Sequence, residues 1–259
     1  MSNGIVSSIT RQGQFEPFDL QVSRGQIYGH SSINLFGYSI AVGSTALGPL
    51  WEGLTQSGGA YAYPSSASTL TIVSDSASDT SALSIQIQGL DSGYNAITET
   101  IAMNGTSNVT TTKSFLRINL MTTTNGLNVG NITAKISSTT YAKIAAGIGQ
   151  TQMSLYTVPA GYTFYLAYVQ ADASIGFTSS NYMKYAEYNK DNVSGEINVL
   201  NQTTFVQSLN IPYSCPIAHT EKTDIQFEIV SNTGGPFVAN IYAGGYLIQN
   251  SVLTTQPGQ

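Results

Sequence analysis

Two histidines, one cysteine and a short acidic cluster are the residues whose types and spacing could do chemistry in this chain. A hydrolytic triad needs a histidine within reach of a nucleophile. His30 and His219 lie in unrelated contexts, and no G-x-S-x-G elbow is present, so both read as surface or packing histidines. Cys215 has no second cysteine to pair with and stands before Pro216 in an apolar stretch. Only His219 and Lys222 are near enough in sequence to activate it, so it reads as a buried structural thiol. Glu187, Asp191 and Glu196 are the densest acidic group, in YMKYAEYNKDNVSGE (182–196). Paired carboxylates that cleave glycans sit about 5–10 Å apart. Here the plainer expectation is a solvated loop with Lys184 and Lys190 as local partners. Its Tyr182, Tyr185 and Tyr188 then form an exposed contact for a ligand or another subunit. Asp75, Asp79 and Asp91 lack the spacing of a calcium loop and read as turn caps. Glu221-Lys222-Thr223-Asp224 reads as a turn with local ion pairs. The expectation is no catalytic residue, no metal ligand and no cofactor site.

The elements that carry these residues are strands. Leu83, Ile85 and Ile87 alternate with Ser84, Gln86 and Gln88, the period of a half-buried strand. Asp91-Ser92-Gly93-Tyr94 follows as a turn, with Gly93 available for positive φ. Ile97, Ile101 and Met103 then line the returning strand, and Asn104-Gly105 closes the hairpin. Leu116, Ile118 and Leu120 share a face, Asn125-Gly126 turns, and 132–136 and 141–145 supply two more strands. Residues 59–148 therefore read as one antiparallel β-sandwich. Beyond 149, YTFYLAYV (162–169) is apolar or aromatic on both faces and must be covered on both sides or lie at a subunit interface. With the alternating Ile225, Phe227 and Ile229 and a last strand over 237–248, residues 149–259 read as a second, jelly-roll-like sandwich. The fold class expected is all-β, with two antiparallel sandwiches of jelly-roll or immunoglobulin-like type.

Residues 1–58 show no sustained period. Phe15, Phe18, Leu20, Phe36 and Trp51 recur as anchors among Gly and polar residues. An extended attachment arm has this pattern, as does a strand folded onto the chain's own sandwich. The arm is taken here, with those five residues as partner contacts. Removal of 1–50 is then expected to leave both sandwiches folded.

The surface chemistry is unusual. Asp, Glu, Lys and Arg make up 9% of the 259 residues, and no Lys or Arg occurs between Arg24 and Lys113. An ordinary soluble domain is about 25% charged and keeps copies apart with that charge. A surface of Ser, Thr, Asn, Gln and Tyr suits a protein covered by neighbours. A net charge of −5 with scattered cations argues against a nucleic-acid surface. The N-terminus lacks the apolar core of a signal peptide, and no run approaches a membrane helix, so synthesis in a cytoplasm is expected.

PFDLQVSRGQIYGH (17–30), INLFGYS (33–39), IQIQGLDSGYNAITETIAMNGTSNVTTTKSFLRIN (85–119), IAAGIGQTQMSLYTVPAGYTFYL (144–166), PIAHTEKTDIQFEI (216–229) and GGYLI (244–248) together resemble virion structural proteins of marine tailed bacteriophages. The resemblance runs through nearly the whole chain in order and carries no catalytic residue. It implies a structural protein of the phage particle. The reading taken is a non-enzymatic minor capsid or decoration protein (cement or head spike) in the virion, anchored by its arm to the major capsid protein and bound to itself, with a trimer favoured. The alternatives are a tail-fibre or receptor-binding protein that contacts host surface glycans, and, more remotely, a polysaccharide-degrading spike.

Overall fold

The computed structural model describes residues 16–44, 47–51, 61–174, 181–233, 235 and 237–254. Among them the fold is nearly all strand. After a short helix α1 (Phe18–Ser23) come β1 (His30–Val42), β2 (Gly48–Pro49), β3 (Ser68–Ser74), β4 (Ser84–Leu90), β5 (Ala96–Ala102), β6 (Val109–Phe115), β7 (Arg117–Thr124), β8 (Ile132–Ile136) and β9 (Thr139–Ile144). They are followed by β10 (Leu155–Thr157), β11 (Tyr162–Ser174), β12 (Met183–Asp191), β13 (Ile197–Phe205), β14 (Ser208–His219), β15 (Thr223–Ser231) and β16 (Phe237–Gln249). No helix among the described residues is long and apolar enough to cross a membrane.

Among the described residues β3 to β9 pair with no other named strand and form a sheet ordered β6-β3-β8-β9 and a sheet ordered β5-β4-β7. Their shared core holds Leu70, Ile72, Ile85, Ile87, Phe115, Met121 and Ile132, all buried completely. Ile85 and Ile87 face inward while Gln86 and Gln88 face out, as period two requires. Leu120 departs from expectation. A register shift opposite Gln88 and Gly89 puts Ile118 and Met121 inside and leaves Leu120 half-buried. At the 91–95 turn, Tyr94 and not Gly93 takes the left-handed conformation, with φ of 66°. The Asp91 carboxylate holds that turn by accepting the Gly93 and Asn95 amides at 2.8 and 2.9 Å.

The remaining strands form two further antiparallel sheets. One is ordered β1-β16-β11-β14; the other is ordered β10-β15-β12-β13, with β2 pairing β15. β2 meets Glu228 and Ile229, and β10 meets residues 224–226, so the two short strands succeed one another along β15. All of β3 to β9 lies between them in the chain. Leu35, Val42, Phe164, Leu166, Tyr185, Phe227 and Ile241 fill the core between these sheets.

This corrects the arm. Residues 30–42 of the N-terminal segment are a sheet strand. β1 pairs antiparallel with β16 from His30 opposite Ile248 to Val42 opposite Phe237. Leu35, Val42 and Leu50 are buried in the core, and Trp51 is buried against Tyr61 with ring centroids 5.5 Å apart. The strand was hard to see because its inward positions include Gly37 and Ser39 as well as apolar residues. Gly37 is required there, since a Cβ would lie 2.4 Å from Ser154 Cβ.

The two pairs of sheets are joined through buried polar groups. Arg117 of β7 donates from Nε and Nη2 to the two carboxylate oxygens of Asp224 on β15, at 2.8 and 2.9 Å. Its third nitrogen donates to the Pro64 and Leu116 carbonyls, and its guanidinium lies 4.4 Å from the Tyr63 ring centre. Asp224 also accepts from Thr157 Oγ1 at 2.6 Å and Asn192 Nδ2 at 2.8 Å. The expected local turn at 221–224 thus contains the anchor of a long-range buried ion pair.

Candidate functional site

The expected site residues scatter. Phe15 lies outside the described residues. Phe18 and Leu20 are exposed on α1, where the Phe18 ring meets Tyr246 edge-on at 5.4 Å. Phe36 is half-buried on β1, and Trp51 is buried and so offers no partner contact in the folded chain. The 182–196 segment is not a loop: residues 183–191 are strand β12, between β15 and β13. That register sends Tyr185 into the core, where it is completely buried, while Tyr182 is exposed and Tyr188 half-buried on the other face. The three tyrosines do not form one exposed contact. Cys215 also reverses expectation and is exposed, on an edge strand.

Two groups weighed separately in the sequence, Glu187 in the acidic cluster and His219 as a surface or packing histidine, meet in the fold. Glu187 and His219 are both buried in the core, with Glu187 Oε1 and His219 Nε2 3.3 Å apart. Tyr213 Oη donates to Glu187 Oε2 at 2.8 Å, and the His219 ring stacks on Phe164. The partners are distant in sequence, so no motif announces them. Of the aspartates weighed for calcium, Asp79 accepts the Val129 and Gly130 amides and the Ser74 hydroxyl. Burial pushes its carboxyl up, but these hydrogen bonds outweigh that and hold it below the ordinary range.

What the structure does bring together is an open sheet edge. Most edges here are closed or guarded in the ways that keep strands from pairing with strangers. β2 and β10 are buried. β5 and β6 are stitched together, Glu99 accepting the Thr112 and Lys113 amides at 2.7 and 2.8 Å. β9 carries Lys143. β7 is tied to the chain that follows by reciprocal bonds between Asn119 and Thr157. β14 has Pro212 and Pro216, and its register against β11 breaks between them.

β13 has none of these guards. Its sequence INVLNQTTF contains neither charge nor proline, and among the described residues it pairs only with β12. Ile197, Val199 and Leu200 are 57, 55 and 42% exposed. Val193 and Val206, just beyond its two ends, are exposed as well. A single-residue bulge at Leu200 opposite Glu187 and Tyr188 is its one irregularity. Val193 is presented by a turn in which Asp191 Oδ1 accepts the Val193 and Ser194 amides and Gly195 takes a positive φ. The result is an uncharged strand with free backbone donors and acceptors and a run of aliphatic side chains facing water.

No family model and no curated protein matches the chain. Among solved structures it is similar to a mutant VP2 protein of infectious bursal disease virus in derived T=1 particles, at 11% identity over 86% of this chain and 70% of that one. The TM-score of that match is 0.20, too low to carry any argument about fold or function.

Proposed function

We propose that the chain is a non-enzymatic structural protein of a virus particle, a minor capsid or decoration component that packs against its neighbours through the β13 edge. The observation that carries this reading is that edge: exposed aliphatic side chains on an unguarded strand favour pairing with another chain. Two features support it. The surface is poor in charge throughout, which suits a protein covered by others. And the eight strand positions of the second pair of sheets, with β2 and β10 sharing one, fall in the order 1-8-3-6 facing 2-7-4-5. That is the double Greek key of a jelly roll, an architecture common in viral capsid and lectin domains. In this reading β3 to β9 form a second sandwich inserted within the jelly roll's second strand. The neighbours are the major capsid protein and further copies of the chain, closed as a trimer.

The test is incorporation into particles. The pair Ile197→Lys and Val199→Lys places charge on exposed positions, and its melting should match the parent's within about 0.5 kcal/mol. Mass spectrometry of purified particles should find the parent chain in them and the variant depleted at least about tenfold. Parent-level incorporation of the variant, or absence of the parent chain from particles, would overturn the proposal.

A further inference from the structure

The outer face of the β1-β16-β11-β14 sheet differs in chemistry from the β13 edge. Strand register sets its side chains in rows: Ser32, Tyr246 and Tyr165; then Asn34, Gly244 and Tyr168; then Phe36, Tyr242 and Gln170; then Tyr38, Asn240 and Asp172. Half of these are aromatic, and most of the rest are amides or hydroxyls. No lysine or arginine stands in the four rows.

The middle of this face is built. Tyr168 and Tyr242 lie 5.5 Å apart, and both hydroxyls donate to Asn34 Oδ1, at 3.1 and 3.2 Å. Tyr168 reaches Asn34 by crossing over Gly244. A Cβ at 244 would lie 2.4 Å from the Tyr168 hydroxyl and 2.9 Å from Asn34 Oδ1. The glycine thus lets a tyrosine lie across the sheet and present its ring outward. Asn34 spends its carbonyl on the two tyrosines, which leaves its N–H donors for a ligand. Tyr242 is 37% exposed and Gln170 is exposed beside it. At one end of the face, Asp19 of α1 accepts from the Tyr246 hydroxyl.

We infer that this face is a binding platform for neutral carbohydrate, with Tyr168 and Tyr242 as the stacking surfaces and Asn34 and Gln170 as the polar contacts. A pyranose offers an apolar C–H face to a ring and a rim of hydroxyls to amides, and a shelf of alternating aromatic and amide groups matches both. Aliphatic side chains, as on β13, match protein. Anionic sugars are disfavoured because the rows hold Asp172 and no cation to neutralise a carboxylate. The inference is independent of the docking role of β13, since it is read on the isolated chain.

The experiment is a calorimetric or NMR titration of the whole chain with neutral hexaoses of glucose, mannose and galactose, and with sialyllactose. At least one neutral hexaose should bind with millimolar affinity, and Tyr242→Ala should weaken it about fivefold or more. Gly244→Ala should also weaken it, by displacing the Tyr168 ring. Tyr168→Phe keeps the ring and serves as the milder variant if either of the others melts early; it should retain more affinity than Tyr168→Ala. Failure of every neutral hexaose to bind at about 10 mM would overturn the inference. So would binding that Tyr242→Ala and Tyr168→Ala leave unchanged, or tighter binding of sialyllactose.

Discussion

Asp224 shows how little a local motif says about a side chain's partner. Read in sequence, it belongs to a compact mixed-charge turn; in the fold it is completely buried and bonded to Arg117, 107 residues away. The pair has the bidentate geometry and extra hydrogen bonds that a buried ion pair needs to offset desolvation. Arg117→Ala leaves the carboxylate buried without its cation and is expected to cost about 3–5 kcal/mol in urea unfolding. Arg117→Met combined with Asp224→Asn should recover part of that loss, because no uncompensated charge remains. Glu228 gives a second residue-scale test. It sits opposite Pro49 on β15, and burial pushes its carboxyl up to about 7. The folded chain then holds this proton more tightly than the unfolded one. Its contribution to stability is present below the ordinary carboxylate range and is lost as the pH rises through about 7. Because the group is partly exposed, the effect is about 1 kcal/mol once solvent screening is allowed for. Denaturant midpoints should fall between about pH 5 and about pH 8 in the parent and flatten in Glu228→Gln.

At the scale of elements, most strands of the 59–148 region were legible, whereas β6 and β1 were not, for a physical reason. In β3, β4 and β8 the buried positions are mostly Leu, Ile and Ala at every second residue, and Asn-Gly and Asx turns separate the strands, so period and punctuation agree; β6 buries only Thr111 and Phe115 and carries no such period. β1 buries Leu35, Gly37 and Ser39 on one side and half-buries Phe36 and Tyr38 on the other, which erases the period. Its partner β16 is the last strand, and no local signal reports a pairing that distant. The same limit hid Tyr185, whose face is set by its register with Ile229 and Thr203. The fate of the N-terminal segment follows. Removing residues 1–29 spares β1, whereas removing 1–50 takes a thirteen-residue strand together with Leu35, Val42 and Leu50 out of the core. The longer deletion should abolish cooperative melting and the shorter one preserve it, as circular dichroism would show. The earlier expectation that removal of 1–50 spares both sandwiches does not survive this pairing. The open edge of β13 was not legible either. Its uncharged sequence is visible, but only the topology shows that nothing lies beside it among the described residues.

For the whole molecule, scarcity of charge takes on a location. The cation-free stretch from Arg24 to Lys113 runs through β1 to β6, and of the aromatic face of the β1-β16-β11-β14 sheet it supplies β1 alone; β16 and β11, which supply the other rows, hold no lysine or arginine of their own. The aliphatic β13 edge is likewise uncharged but belongs to a different sheet from β1. A chain that docks through such surfaces gains from buried apolar area and backbone pairing, neither of which salt screens. Its occupancy on purified particles should therefore stay constant as salt is raised from about 0.1 M to about 1 M, whereas attachment by ion pairs would be lost over that range.

A density map of the purified particle tests the docking claim most directly. The account predicts that the chain is found in the particle with a neighbouring protein, a capsid subunit or a second copy, lying against residues 193–206 and covering Ile197, Val199 and Leu200. A particle in which that edge faces solvent on every copy, or one that lacks the chain altogether, would contradict it.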